Sequence, residues 1–173
     1  MKGGKKSDWG LKNCVGAVLF CLCLAASLEA ASAAEFRASD GAFAIHLPDG
    51  WALQTQAAPT VYVFKGSGIE NVVVEYFPGA NDVNALLGKG LTTAQASGLS
   101  NMRVQELNEI TVNDRPAAWG YYTGVFTQNN VALNAALGAV VLPKGGLYFL
   151  SILNDGSKAS MGPAIEKSFW SIR

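Results

Sequence analysis

Ala42-Phe43-Ala44-Ile45-His46-Leu47-Pro48-Asp49-Gly50-Trp51 sets apolar Phe43, Ile45 and Leu47 in alternation with Ala44 and His46, then turns at Pro48-Asp49-Gly50. A period of two sends successive side chains to opposite faces, so the stretch reads as a half-buried strand. The Asp-Gly pair suits a reversal, because glycine adopts backbone angles that other residues resist. Trp51 and Leu53 are expected to continue the apolar face beyond the turn.

The same texture recurs along the chain. Val61-Tyr62-Val63-Phe64 reads as a strand, and Lys65-Gly66-Ser67-Gly68 as a hairpin loop. Asn71 to Phe77 places Val72, Val74 and Tyr76 on one face and stops at Pro78-Gly79. Met102 to Val112, Arg115 to Phe126, Val131 to Leu142 and Leu147 to Leu153 follow as strands. Asn113-Asp114, Gln128-Asn129-Asn130 and Pro143-Lys144-Gly145-Gly146 separate them, and Asp155-Gly156 is expected to end the sheet.

Two segments carry helical spacing instead. Asn81 or Asp82 is placed to cap a helix whose stripe is Val83, Leu86, Leu87, Leu91 and Ala94. Gly88, Gly90 and Gly98 weaken it by about 1 kcal/mol each in a helix interior, so a break near Gly90 is expected. A closing helix is expected over Ser160 to Phe169, with Pro163 near its first turn and Ile165 and Phe169 stacked four residues apart. The fold class is therefore α+β, with strands in the majority.

Val131 to Leu142 is small or apolar at nearly every position, so it belongs in the middle of the sheet, covered on both sides. Its expected neighbour places Ala118, Gly120 and Gly124 on one face beside Tyr122 and Phe126. Joined with Ala136 and Gly138, these form a strip of small residues. Close packing of a helix explains such a strip; a shallow apolar groove for a ligand or a partner's helix is the functional alternative.

The N-terminus carries an address. Met1 to Asn13 holds Lys2, Lys5, Lys6 and Lys12 against the single acid Asp8. Cys14 to Ala26 is then an unbroken small or apolar run, and Ala31-Ser32-Ala33 closes it with small residues. This order is that of a secretory signal peptide. The run falls short of the about 20 apolar residues a membrane span needs; an uncleaved anchor is the rival reading. Residues 1–34 are thus expected to be removed, by cleavage after Ala33 or Ala34, leaving 35–173 as one domain. Localisation is expected to be periplasmic or extracellular, with a bacterial host assumed.

All three cysteines (Cys14, Cys21, Cys23) lie in the leader, so no disulfide is expected afterwards. Cys21 follows Phe20 and Cys23 follows Leu22, bulky residues that argue against lipid anchoring. The whole chain has 13 basic and 13 acidic residues. From Glu35 onward the nine basic residues are scattered against eleven acidic ones. Nucleic acid binding needs clustered cations to displace counterions, and that class is set aside.

Candidate chemistry is sparse. His46 is the single histidine, too little for a zinc or copper site and the only base for a Ser-His-acid arrangement. It lies on the polar phase of its strand, towards solvent or an edge. Glu70 with Glu75 and Glu106 with Glu109 lack a spacing that hydrolysis demands and read as solvated faces. Gly66-Ser67-Gly68 lacks the helix start of a phosphate loop. Asp49, Asp114 and Asp155 read as turn residues rather than calcium ligands. Trp51 at a turn and Trp119 near a hairpin are the remaining candidates for a recognition surface; core packing is the alternative for both.

Ala42 to Trp51 resembles the opening of Mog1/PsbP-like domains, where an alternating strand runs into a Pro-x-Gly-Trp turn. Ile110-Thr111-Val112-Asn113-Asp114-Arg115-Pro116-Ala117 is similar to their mid-domain hairpin, with Asp114 where an Asn-Gly turn is usual. Ser168-Phe169 resembles the pair that seats their closing helix. The resemblance runs from about Phe36 to Ile172 and implies an antiparallel sheet between helices, without an enzymatic activity or cofactor typical of the fold. It implies an adaptor, assembly factor or chaperone of the cell envelope, binding another exported or membrane protein. A carrier or sensor of a small apolar ligand is the alternative, and a carboxylate hydrolase a distant third. The candidate surface is Trp51, Trp119, Gly120, Tyr122, Gly124 and Gly138.

Overall fold

The computed structural model describes residues 34–66, 71–153 and 155–173. The expected leader with its cysteines, the Ser67-Gly68 loop and Glu70 lie outside the described residues. Seven strands form one sheet in the order β3(Ala52–Ala58), β4(Val61–Lys65), β5(Asn71–Pro78), β9(Gly145–Leu153), β8(Val131–Leu142), β7(Arg115–Phe126), β6(Leu99–Val112). Every neighbouring pair is antiparallel. β1(Glu35–Arg37) and β2(Ala44–His46) make a separate two-stranded ribbon. One helix packs on each face, as α1(Val83–Ala96) and α2(Asp155–Trp170). The fold is α+β with a mostly antiparallel sheet.

The connection from β5 to β6 crosses four strand positions, about 19 Å at the usual strand spacing. A 14-residue helix supplies about 21 Å, so α1 is just long enough to carry the chain across. Asp82 caps it, its carboxylate accepting from the Asn84 and Ala85 amides at 2.8 and 3.2 Å. The helix runs unbroken through Gly90, where a Cβ would strike Leu137 and Tyr148. The residue that weakens the helix is the one that lets it lie close on β8 and β9.

β8 lies between β7 and β9, and Asn134 to Val140 are buried. Its apolar run is explained by cover on both sides. On the α1 face, Leu86, Leu87 and Ala94 meet Tyr122, Leu137, Tyr148 and Leu150. On the α2 face, Ile165 and Phe169 meet Trp119, Val140 and Phe149, and the cluster runs on through Phe64 to Phe43 and Ile45. Phe36 of β1 closes that end, 5.3 Å from the Tyr62 ring and 5.0 Å from Phe64.

Tyr148 pins α1 to the sheet. Its hydroxyl donates to Glu75 at 2.7 Å and hydrogen-bonds Thr93 Oγ1 at 2.9 Å. Burial pushes the phenol far above its ordinary range; the Thr93 bond opposes this and Glu75 adds to it. A phenol held neutral this firmly is a strut rather than a base. Tyr148→Phe is expected to cost about 1–2 kcal/mol, read as a lower midpoint in urea denaturation with an unchanged slope.

Several expectations are corrected. Trp51 is buried, but β3 is exposed throughout and Leu53, 40% exposed, does not extend the core beyond it. β6 begins at Leu99, where positive-φ Asn101 and a register shift between Ser100 and Arg103 disrupt the alternation. α2 begins at Asp155, not Ser160, so Pro163 lies inside the helix and removes one of its hydrogen bonds. Asn113 and Asp114 both adopt positive φ, 49° and 62°, as a tight two-residue hairpin turn requires. Asp114 thus does the work of the usual glycine.

Candidate functional site

Strand register decides what the small-residue strip is. β7 pairs with β8 so that Gly138 faces Trp119, and Gly120 faces Leu137. Paired residues share a face, which puts Gly138 and Ala136 on the α2 side and Gly120 and Gly124 on the α1 side. The strip is divided between two faces and makes no common floor.

Neither half is open. The Phe169 ring occupies the space where a Gly138 side chain would go. Gly120 lies beneath Leu107 and the Glu106 carbonyl, and Gly124 beneath the Met102 sulfur and the Ser100 carbonyl. Tyr122 is 2% exposed. Helix packing accounts for Gly138, and cover by β6 accounts for the other two. The space that the alternative of an apolar groove would need is filled by the protein's own atoms.

The two tryptophans are core residues as well. Trp119 stacks on Phe169 with ring centroids 4.8 Å apart and an interplanar angle of 29°. Trp51 is buried, its indole over Gly66, where the chain leaves β4 and leaves no room for a side chain. Trp170 is the exposed tryptophan among the described residues, its indole N–H donating to Glu166 at 3.3 Å.

His46 is half-exposed on β2, as expected of the polar phase. Its Nε2 accepts from Arg173 at 3.0 Å and lies 3.4 Å from Glu35. The nearby Ser171 hydroxyl is bound to backbone, accepting from the His46 amide and donating to the Ser168 carbonyl. His46 is therefore engaged with an arginine and a carboxylate rather than with a hydroxyl it would activate. Among the described residues no three His, Cys, Asp or Glu side chains are grouped to hold a metal ion. No described helix is long and apolar enough to cross a membrane.

The sheet has two open outer edges, the seven-residue β3 and the longer β6, and β6 carries the exposed apolar pair. This strand has 14 residues and a partner on one side. Val104 and Leu107 are exposed at 57% and 44%. They oppose Tyr122 and Gly120, so both project on the α1 side. Leu107 lies flat because Gly120 beneath it has no side chain. The opposite face of the strand is polar: Gln105 donates to Thr123 Oγ1 at 3.1 Å, and Asn108 to Glu106 at 2.8 Å. A sequence reading that assigned Met102 to Val112 as a strand had no means of finding its edge position, which strand order alone reveals.

No protein-family profile matches the sequence, and no curated protein matches it. Solved structures do. The Ran-binding protein Mog1p of Saccharomyces cerevisiae superposes with a TM-score of 0.61 at 9% identity, over 81% of this chain and 94% of Mog1p. Cyanobacterial PsbP from Synechocystis gives 0.61 at 14% identity, over 85% and 95%. LpqN of Mycobacterium tuberculosis, involved in cell envelope biogenesis, gives 0.51 at 13% identity, over 80% and 88%. At these identities the likeness is one of fold. This chain has the Mog1/PsbP-like fold.

Proposed function

We propose that this chain is a non-enzymatic, exported interaction module of the cell envelope that takes an extended segment of another exported or membrane polypeptide along β6. The open edge of β6 carries this reading. From Glu106 to Val112 its register with β7 is continuous, so the outward N–H and C=O groups there are in regular order for one more strand. Val104 and Leu107 add apolar contact beside that edge. Arg103, Glu106 and Glu109 and the register shifts before Glu106 restrain indiscriminate pairing.

Similarity to a Ran-binding protein and to a protein of envelope biogenesis supports a protein partner at the level of fold. Export rests on the lysine-rich head and apolar run of the first 34 residues.

Photo-crosslinking in intact cells tests this. A crosslinker at Leu107 is expected to trap a distinct polypeptide, whereas one at Lys144, in the turn between β8 and β9, is not. Val104→Asp is expected to lower the yield at position 107 about tenfold, the effect of roughly 1.4 kcal/mol. No adduct at 107, equal adducts at both positions, or an adduct only with a second copy of this chain would each reject the reading.

A further inference from the structure

Three arginines distant in sequence converge on one cleft of about 420 Å3, lined by Arg37, Arg115, Arg173 and the 38–41 loop. Each is held by its own backbone anchor. Arg37 lies in β1, in register with Ala44. Arg115 follows the tight Asn113-Asp114 turn, whose Asn113 side chain donates to the Ile172 carbonyl at 2.7 Å. Arg173 exchanges backbone hydrogen bonds with Ala44 at 2.8 and 3.1 Å. The fold thus brings the three backbones together.

The charges do not balance within it. The Glu35 carboxylate is shared by Arg37 and Arg173. Asp40, in the adjoining loop, accepts from the Ala42 amide at 3.0 Å. Arg115 has no carboxylate of its own among the described residues, and its Nη1 is shielded from solvent without an acceptor there. A shielded cationic nitrogen is costly unless an acceptor reaches it. Guanidinium forks match planar and tetrahedral oxyanions, which take two parallel N–H bonds.

The geometry points to an oxyanion-binding site at Arg37, Arg115 and Arg173, taking a carboxylate or phosphoryl group of a small molecule. The cleft falls in the range of about 300–1,000 Å3 typical of small-molecule sites, more than a bare inorganic ion fills. Glu35 pairs with two of the arginines and holds them at the cleft. The site lies at the β1–β2 ribbon and the β6–β7 turn, and it is independent of any partner strand on β6.

Thermal unfolding of the purified protein at constant ionic strength tests the assignment, with inorganic phosphate and succinate as probes and chloride as reference. At least one probe is expected to raise the Tm progressively above the chloride value. Arg115→Gln and Arg37→Gln should each weaken that response about tenfold or more, as loss of a hydrogen bond to a charged group does. A response to phosphate alone marks a phosphoryl site, to succinate alone a carboxylate site, and to both a general oxyanion site. Arg37 is 67% exposed, so its variant carries the test if Arg115→Gln fails to fold. No rise above chloride with either probe, or an undiminished rise in the variants, overturns it.

Discussion

Replacing Phe169 by alanine is expected to remove about 3–5 kcal/mol of folding stability. Phe169 is fully buried, stacks on Trp119 at 4.8 Å and meets Phe149 edge-on at 5.8 Å. It also fills the hollow above Gly138. Truncation opens a cavity that α2 has little means to close, because Pro163 and the seated Ile165 restrict its settling. A domain of this size holds only about 5–15 kcal/mol in all, so the variant approaches the limit of folding. Urea denaturation followed by tryptophan fluorescence measures it, with Trp170→Ala on the outer face of α2 expected to cost under about 1 kcal/mol. Similar losses in the two variants would mean that α2 is not anchored through Phe169.

What the sequence discloses follows from where the physics is local. Val131 to Leu142 announces a central strand because burial on both sides leaves no position for a charged residue. Asn81-Asp82 announces a helix start because a cap needs a side-chain oxygen next to the free amides, and Asp82 supplies it. The resemblance marked Ser168-Phe169 as the seat of the closing helix, and Ser168 is buried with its hydroxyl donating to the Ala164 carbonyl. Edge elements leave no such mark. β3 is exposed throughout, and β1 offers the core only Phe36.

The candidate site was less legible, and the reason is register. Whether Gly138 shares a face with Gly120 or with Trp119 depends on a single-residue step in the β7–β8 pairing, and that pairing is set by contacts far along the chain. The arginine cleft is hidden for the same reason. Arg37, Arg115 and Arg173 look scattered until the C-terminal segment pairs with β2 and the β6–β7 turn binds Ile172. Long-range hydrogen bonds assemble these sites, and no local pattern encodes them.

Gly138→Val separates the two meanings of the small-residue strip. Were Gly138 the floor of a ligand groove, a valine there would leave the fold intact and obstruct only the ligand. Packed as it is, the new side chain meets the Phe169 ring on a β8 backbone held by strands on both sides. Overpacking of this kind typically costs about 1–3 kcal/mol, and the upper end is expected because Trp119 and Phe149 bar the ring from moving aside. A double-mutant cycle makes the argument sharper. Phe169→Leu removes the ring edge nearest Gly138, so in that background Gly138→Val should cost less than in the natural sequence. A coupling of about 1 kcal/mol or more is expected for side chains in direct contact. Additive losses, or a Gly138→Val variant as stable as the parent, would show that the ring does not rest on Gly138. Strong coupling would identify the glycine as the seat of α2, which is why a side chain is missing at the centre of the sheet.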